Sequence, residues 1–183
     1  QPDHRIRRDE VGGDQDAVVL PLVGAILQVG SSNIAVAALA FLAIVVASAL
    51  AACKTKHEQL SEQRVVIHGA GTAGIGIADL MRDIMISEGL DPDEATQRFW
   101  GLGSRGLIHT GGKMRPFQER YARDASELEE WEADEAGNYS LDEVVRRVQP
   151  TILIGTSAQA GAFHEQLLRT MAEGCERPII LPL

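Results

Sequence analysis

Cysteine is nearly absent: Cys53 and Cys175 stand far apart and form no CxxC pair. That excludes a disulfide framework and a zinc ribbon, and it suits a reducing cytoplasm. Aromatic residues are scarce at 4%, so Trp100 and Trp131 are expected to serve packing rather than stacking on a ligand. Basic charge is short as well. Lys and Arg total 17 against 26 Asp and Glu, a net charge of −9, which argues against a phosphate-backbone partner such as nucleic acid. Apolar residues make up 45% and charged residues 23% of the 183, a globular composition long enough for one domain with a real core.

Charge of either sign is missing between Asp16 and Lys54. Inside that stretch, Ile34 to Cys53 is a 20-residue apolar run, about the length of a membrane-spanning helix. It closes on "LAAC", the shape of a lipoprotein signal around a modifiable cysteine. Nine of its residues are alanine, which makes it weakly hydrophobic on insertion scales. The residues before it mix Arg5, Arg7 and Arg8 with Asp9, Glu10, Asp14 and Asp16, unlike a signal peptide. A helix buried in an α/β core is the favoured expectation, with a membrane span and a lipoprotein anchor as alternatives. "AVVLPLVGAILQV" reads as a preceding helix and Gly30 to Asn33 as the turn between. Residues 1–59 are thus expected to form an N-terminal segment with apolar helices, atypical or partly without structure, and 60–183 a second domain.

From Arg64 apolar segments alternate with polar connections. "RVVIH" (Arg64 to His68) is a short β-branched run, expected to be a buried strand. Gly69, Gly71 and Gly74 follow at G-x-G-x-x-G spacing, and a helix is expected from about Ala73 to Ser87. Ile77, Leu80, Met81 and Ile84 fall on one face, with Asp79, Arg82 and Asp83 on the other. Such a turn carries a dinucleotide. The first glycine permits the tight turn and the second lets the backbone approach the pyrophosphate. The third lets the helix pack on the sheet, and the helix N-terminus offers free N–H groups. The strand before and the amphipathic helix after raise this above a bare glycine pattern. Gly69, Ala70, Gly71, Thr72, Ala73 and Gly74 are the candidate cofactor residues of the turn.

The next strand is expected at Arg98 to Leu102. NAD sites carry Asp or Glu where that strand closes, to meet the ribose. Here Gly103, Ser104 and Arg105 follow. No acid is present, and Arg105 is free to meet a 2′-phosphate, which tilts Ser104 and Arg105 toward NADP over NAD; a solvated loop role for Arg105 is the alternative. Two further strands are expected, Thr151 to Ser157 and Arg177 to Leu183. "FHEQLLRTMAEG" between them reads as a helix ending at Gly174, and "SLDEVVRRVQ" before them as another, with Ser140 and Glu143 at capping-box spacing. The repeat of strand and helix implies a Rossmann-like α/β fold, a doubly wound parallel sheet with flanking helices. "GTSAQ" (Gly155 to Gln159) fails as a nucleophile elbow, because Gln159 stands where glycine is required. Thr156, Ser157 and Ala158 are read instead as cofactor-lining.

Three segments together carry a resemblance: "LSEQRVVIHGAGTAGIGIADLM", "RFWGLGSRGLI" and "VQPTILIGTSAQAGAFHEQLLRTMAEGCERPIILPL". From about Leu60 to Leu183 the chain resembles the NAD(P)-binding domain of malic enzymes. The resemblance implies oxidative decarboxylation of malate to pyruvate and CO₂, with Mg²⁺ or Mn²⁺ and NAD or NADP, in proteins that assemble as oligomers. In that family a tyrosine, a general-base lysine and a Glu-Asp metal pair lie in a separate upstream domain, with no counterpart here. An "NDDIQGT" stretch with a metal-binding aspartate precedes the helix before the first strand. If Leu42 to Lys54 is that helix, its place is taken by "VAALAF" (Val36 to Phe41), which holds no oxygen ligand for a hard cation. If "AVVLPLVGAILQVG" is the helix, Asp9 and Glu10 fall near the metal position and residues 31–59 contain an insertion. The family continues past a closing "LPL" into a Ser-Asn-Pro-Thr loop, whereas this chain ends at Leu183.

The expectation is therefore a cytoplasmic dinucleotide-binding fragment or decayed copy that does not turn over malate alone, with no catalytic or metal residue assigned. A membrane-tethered or regulatory nucleotide-sensing module and a ligand-free remnant are the other readings. His68, beside the glycine turn, is expected to be structural rather than catalytic. His109 and His164 have no partner at metal-ligand spacing. The acidic stretch Asp124 to Ala136 is read as a solvated helix or lid rather than a cation site.

Overall fold

The computed structural model describes residues 33–183. The helix expected at "AVVLPLVGAILQV", the first three residues of the Gly30 to Asn33 turn, and Asp9 and Glu10 lie outside the described residues; Asn33 itself opens a helix. By contacts the chain divides into Gln1–Ala40 and Phe41–Leu183, and the second unit contains the sheet.

Helix α1 (Asn33–Lys56) is continuous, so Val36 to Phe41 are helical rather than a loop. Its length and apolarity are those of a helix able to cross a membrane. Within Phe41–Leu183, Val45, Val46, Ala49 and Cys53 are buried at the i, i+4 spacing of one helical face, while Phe41 and Ile44 are exposed. Burial pushes the Cys53 thiol up to about 11.

Strand β1 (Val65–His68) leads to α2 (Thr72–Ser87), then α3 (Pro92–Gln97), β2 (Phe99–Gly103) and β3 (Gly106–Leu107). After a long connection come α4 (Leu141–Val148), β4 (Ile152–Gly155), α5 (Glu165–Gly174) and β5 (Ile179–Pro182). The sheet runs β3-β2-β1-β4-β5. β2, β1, β4 and β5 are parallel in register, Val65 beside Phe99 and Ile152. The two-residue β3 pairs antiparallel with β2, an edge that no alternation in so short a segment could announce.

All four residues of β1 and of β4 are buried, as central strands covered on both faces require. Each such aliphatic side chain contributes about 1.5–3 kcal/mol of burial. Val66 and Leu153 point into a cluster with Val144, Val145, Leu167 and Met171 of α4 and α5. Ile67 points the other way, toward Gly74 of α2. α1 crosses α2 where glycine replaces a side chain: a Cβ on Gly76 would lie 3.0 Å from Leu42 Cδ1.

Several local expectations change on folding. Asp79, read on the polar face of α2, is half-buried and accepts a hydrogen bond from the Tyr121 hydroxyl at 2.8 Å. Burial and that carboxylate push the Tyr121 hydroxyl far above its ordinary range. The acidic stretch forms a 3-10 turn over Ala125–Leu128 rather than a helix, because Leu128 is drawn into the core. The capping box at α4 is half made. Ser140 accepts from the Glu143 N–H at 3.2 Å, but the Glu143 carboxylate turns away to the Glu132 N–H, Arg147 and Arg146.

Burial opposes ionisation of Glu143, but the Glu132 N–H and the two guanidinium groups outweigh it and hold its pKa below the usual carboxylate range. A lowered folded-state pKa means stability that is present above about pH 4.3, the unfolded value, and lost as pH falls through the folded value. Glu143→Gln is expected to cost about 1–3 kcal/mol at pH 7 and to flatten the stability profile below pH 5. Urea midpoints of both proteins at pH 4 and pH 7 measure this; a variant with the parent's pH dependence would refute the role of Glu143.

Candidate functional site

β1 ends at His68, and the chain leaves the sheet through Gly69, whose φ of +110° is left-handed. The turn is tied down on both sides. The N–H groups of Gly69 and Ala70 donate to the Leu102 carbonyl of β2 at 2.9 and 2.7 Å. The Thr156 hydroxyl, beyond β4, donates to the Gly69 carbonyl at 2.7 Å. Gly71 is the N-cap of α2 and supplies no side chain to the helix terminus. Gly71, Thr72 and Ala73, at the N-terminus of a 16-residue helix, are exposed, and the Gly71 N–H donates to the Gly69 carbonyl at 2.7 Å.

Order β2-β1-β4 puts the chain's reversal of direction at β1 and β4, the crevice where doubly wound sheets bind ligands. Three groups of sequence-selected residues converge on this edge. Gly69 to Gly74 follow β1, Thr156 and Ser157 follow β4, and Ser104 and Arg105 follow β2. Ser157 is half-buried, Ala158 is exposed, and Ser104 and Arg105 are exposed. An Arg105 N–H donates to the Lys113 carbonyl at 2.8 Å, across the cleft beyond β2.

Gln118, which sequence reasoning passed over, is buried at 9% exposure. Its amide nitrogen donates to the Ala70 carbonyl at 2.6 Å, and its amide oxygen accepts from the Arg115 N–H at 2.8 Å. Gln118 lies in the short 3-10 turn Pro116–Tyr121, an element too short to carry a periodic pattern that would reveal this.

His68 is 8% exposed, and neither ring nitrogen has a hydrogen-bond partner. Its ring lies 6.2 Å from that of Phe163. Burial lowers its pKa below the usual imidazole value. His164 caps α5, accepting from the Leu167 N–H at 3.3 Å, and pairs with Asp142 at 3.0 Å. Trp100 lies beneath the Arg123 guanidinium, 4.8 Å from the ring centroid. Trp131 meets Tyr139 edge-on. Among the described residues no three His, Cys, Asp or Glu side chains come together as a cation site.

A parallel sheet, a glycine turn at its switch point and an open helix N-terminus define a dinucleotide-binding domain of the Rossmann type. The pattern for "Malic enzyme, NAD binding domain" matches residues 40–183. The chain belongs to that family. It is 43% identical over 143 residues to NAD-dependent malic enzyme 3 of Bacillus subtilis (strain 168), covering 77% of this chain and 25% of that protein. With the NAD-dependent malic enzyme of Idiomarina loihiensis it shares 44% over 142 residues, 76% of this chain and 25% of the relative. It thus spans about a quarter of the length of these relatives. The Entamoeba histolytica malic enzyme structure superposes with a TM-score of 0.50 at 24% identity, over 75% of this chain and 25% of that one. A second, described as a malic enzyme (malate oxidoreductase), gives 0.52 at 18% identity, over 75% and 31%. At such identities these two speak to fold alone.

Proposed function

We propose that this domain binds NAD or NADP across the Gly69–Gly74 turn and serves, together with a substrate domain, the oxidative decarboxylation of malate to pyruvate. The exposed Gly71–Ala73 segment at the mouth of α2 carries the reading. A Cβ built on Gly71 meets nothing within 4 Å, which leaves open backbone for a pyrophosphate. The helix N-terminus supplies N–H donors and a partial positive charge to that group. Thr156 and Ser157 would line its path along β4, and Ser104 and Arg105 would meet the adenosine end. The bound dinucleotide supplies the hydride acceptor. The relatives are named as NAD-dependent, whereas Gly103-Ser104-Arg105 favours NADP.

Among the described residues no three His, Cys, Asp or Glu side chains come together as a site for the Mg²⁺ or Mn²⁺ of the family reaction. We therefore expect this chain to bind dinucleotide without turning over malate by itself. We also assign it to the cytoplasm, from its lack of cysteine pairs; carbonate-washed membranes that retain it would reverse that assignment. NADH or NADPH at 100 times Kd should stabilise the domain by about 2.7 kcal/mol, read as a rise in melting temperature. Absence of a shift with either nucleotide would dismiss the binding reading. Malate-dependent nucleotide reduction in Mn²⁺ by the isolated chain would dismiss the claim that it needs a second domain.

A further inference from the structure

We infer that His68 is a ligand-contacting residue, held under a movable loop to hydrogen-bond the carboxamide of the nicotinamide ring; this rests on the dinucleotide reading above. His68 ends β1, at the edge of the sheet where that ligand would lie. It is 8% exposed, both ring nitrogens are buried, and neither has a partner among the described residues. A histidine kept for structure alone would be expected to have a nitrogen paired, because each buried polar atom left unpaired costs about 1–3 kcal/mol. No such requirement holds for a group whose partner arrives with the ligand.

The connection from β4 to α5 covers His68. The Phe163 ring stands 6.2 Å from the imidazole, centroid to centroid, and lies against Gly155, where a Cβ would meet it at 2.8 Å. Thr156 is fixed: its N–H donates to the His68 carbonyl at 2.8 Å and its hydroxyl to the Gly69 carbonyl at 2.7 Å. Beyond Thr156 the fastening ends. Among the described residues, no backbone group from Ser157 to Phe163 bonds to backbone, and the Gln159 N–H reaches the Ser157 hydroxyl only at 3.4 Å. Ala158 to Gly161 are exposed. The loop is seated through Ala162 and Phe163, which pack on the cluster of α4 and α5. A shift of this loop therefore breaks few bonds, and it opens His68 to the crevice at β1 and β4. A neutral imidazole carries one N–H donor and one acceptor. A carboxamide carries both kinds as well, so it answers whichever nitrogen faces it.

Calorimetric titration of the full chain and its variants with NADH and with ADP-ribose, which lacks the nicotinamide, tests this. His68→Leu removes both nitrogens at similar volume. It should weaken NADH about tenfold, a difference of about 1.4 kcal/mol, and leave ADP-ribose unchanged. His68→Gln keeps an uncharged donor and acceptor and should restore most of the NADH affinity. The urea midpoint of His68→Leu should rise, because two unpaired polar atoms leave the interior. Three results would overturn the contact and leave the dinucleotide reading standing: equal weakening of NADH and ADP-ribose, NADH bound by His68→Leu as by the parent, or His68→Gln no better than His68→Leu. A His68→Leu protein less stable than the parent would show that the nitrogens have partners within the fold, which also overturns the contact. Binding of neither nucleotide by the parent chain would overturn both readings.

Discussion

Gly71→Ala is expected to leave the fold intact and to weaken dinucleotide binding about 10- to 100-fold, or 1.4–2.8 kcal/mol. Its φ of −80° is open to any residue, and the added methyl group points into empty space. That space is where the pyrophosphate must reach the backbone. Gly69→Ala and Gly74→Ala are expected to behave oppositely. A Cβ at Gly69 would sit 2.6 Å from the Ser157 nitrogen, on a backbone already at positive φ. At Gly74 it would sit 2.4 Å from the Gly69 carbonyl oxygen. Both clashes are with backbone, which cannot swing aside, so each change should cost about 2–5 kcal/mol through strain and overpacking. Chemical denaturation beside nucleotide titration separates the three. A Gly71→Ala protein that bound NADH and NADPH like the parent would remove the cradle assignment.

Phe99→Ala is expected to be the most damaging single change in the sheet, at about 3–5 kcal/mol. Phe99 opens β2, is 1% exposed, and meets Tyr121 edge-on with ring centroids 5.5 Å apart. Its loss leaves a cavity beneath the strand that carries Ser104 and Arg105, and it unseats Tyr121, whose hydroxyl bonds Asp79 of α2. Domains of this size are stable by only about 5–15 kcal/mol, so a large unfolded fraction should appear at modest urea. Trp100→Ala, at the half-buried neighbour of Phe99, should cost clearly less. A Phe99→Ala midpoint close to that of the parent would contradict the core assignment.

Where residues announce themselves through neighbours in the chain, reading was direct. The β-branched run before Gly69, the glycine spacing and the 3.6-residue stripe of α2 are local patterns, and the strands and helices expected from Arg64 onward end within a few residues of expectation, whereas the short α3 and β3 were not expected. Local rules failed where a distant group competed for the same side chain. Glu143 stood three residues after Ser140, as a capping box requires, yet two guanidinium groups and the Glu132 N–H offered its carboxylate more than the helix terminus did. The acidic stretch had the charge of a solvated helix but was bent by Leu128 entering the core.

The residues by themselves determined the α/β class, the glycine turn after β1 and the family, because glycine conformation, hydrophobic period and helix capping act within a few residues. Only the tertiary structure decided how that turn is braced and which side chains gather beyond β2. Thr156 reaches the Gly69 carbonyl across 87 positions, and Gln118 reaches Ala70 across 48. Contacts of that kind exist only after the strands have paired, since hydrogen bonds between distant side chains and backbone leave no periodic trace in a single chain.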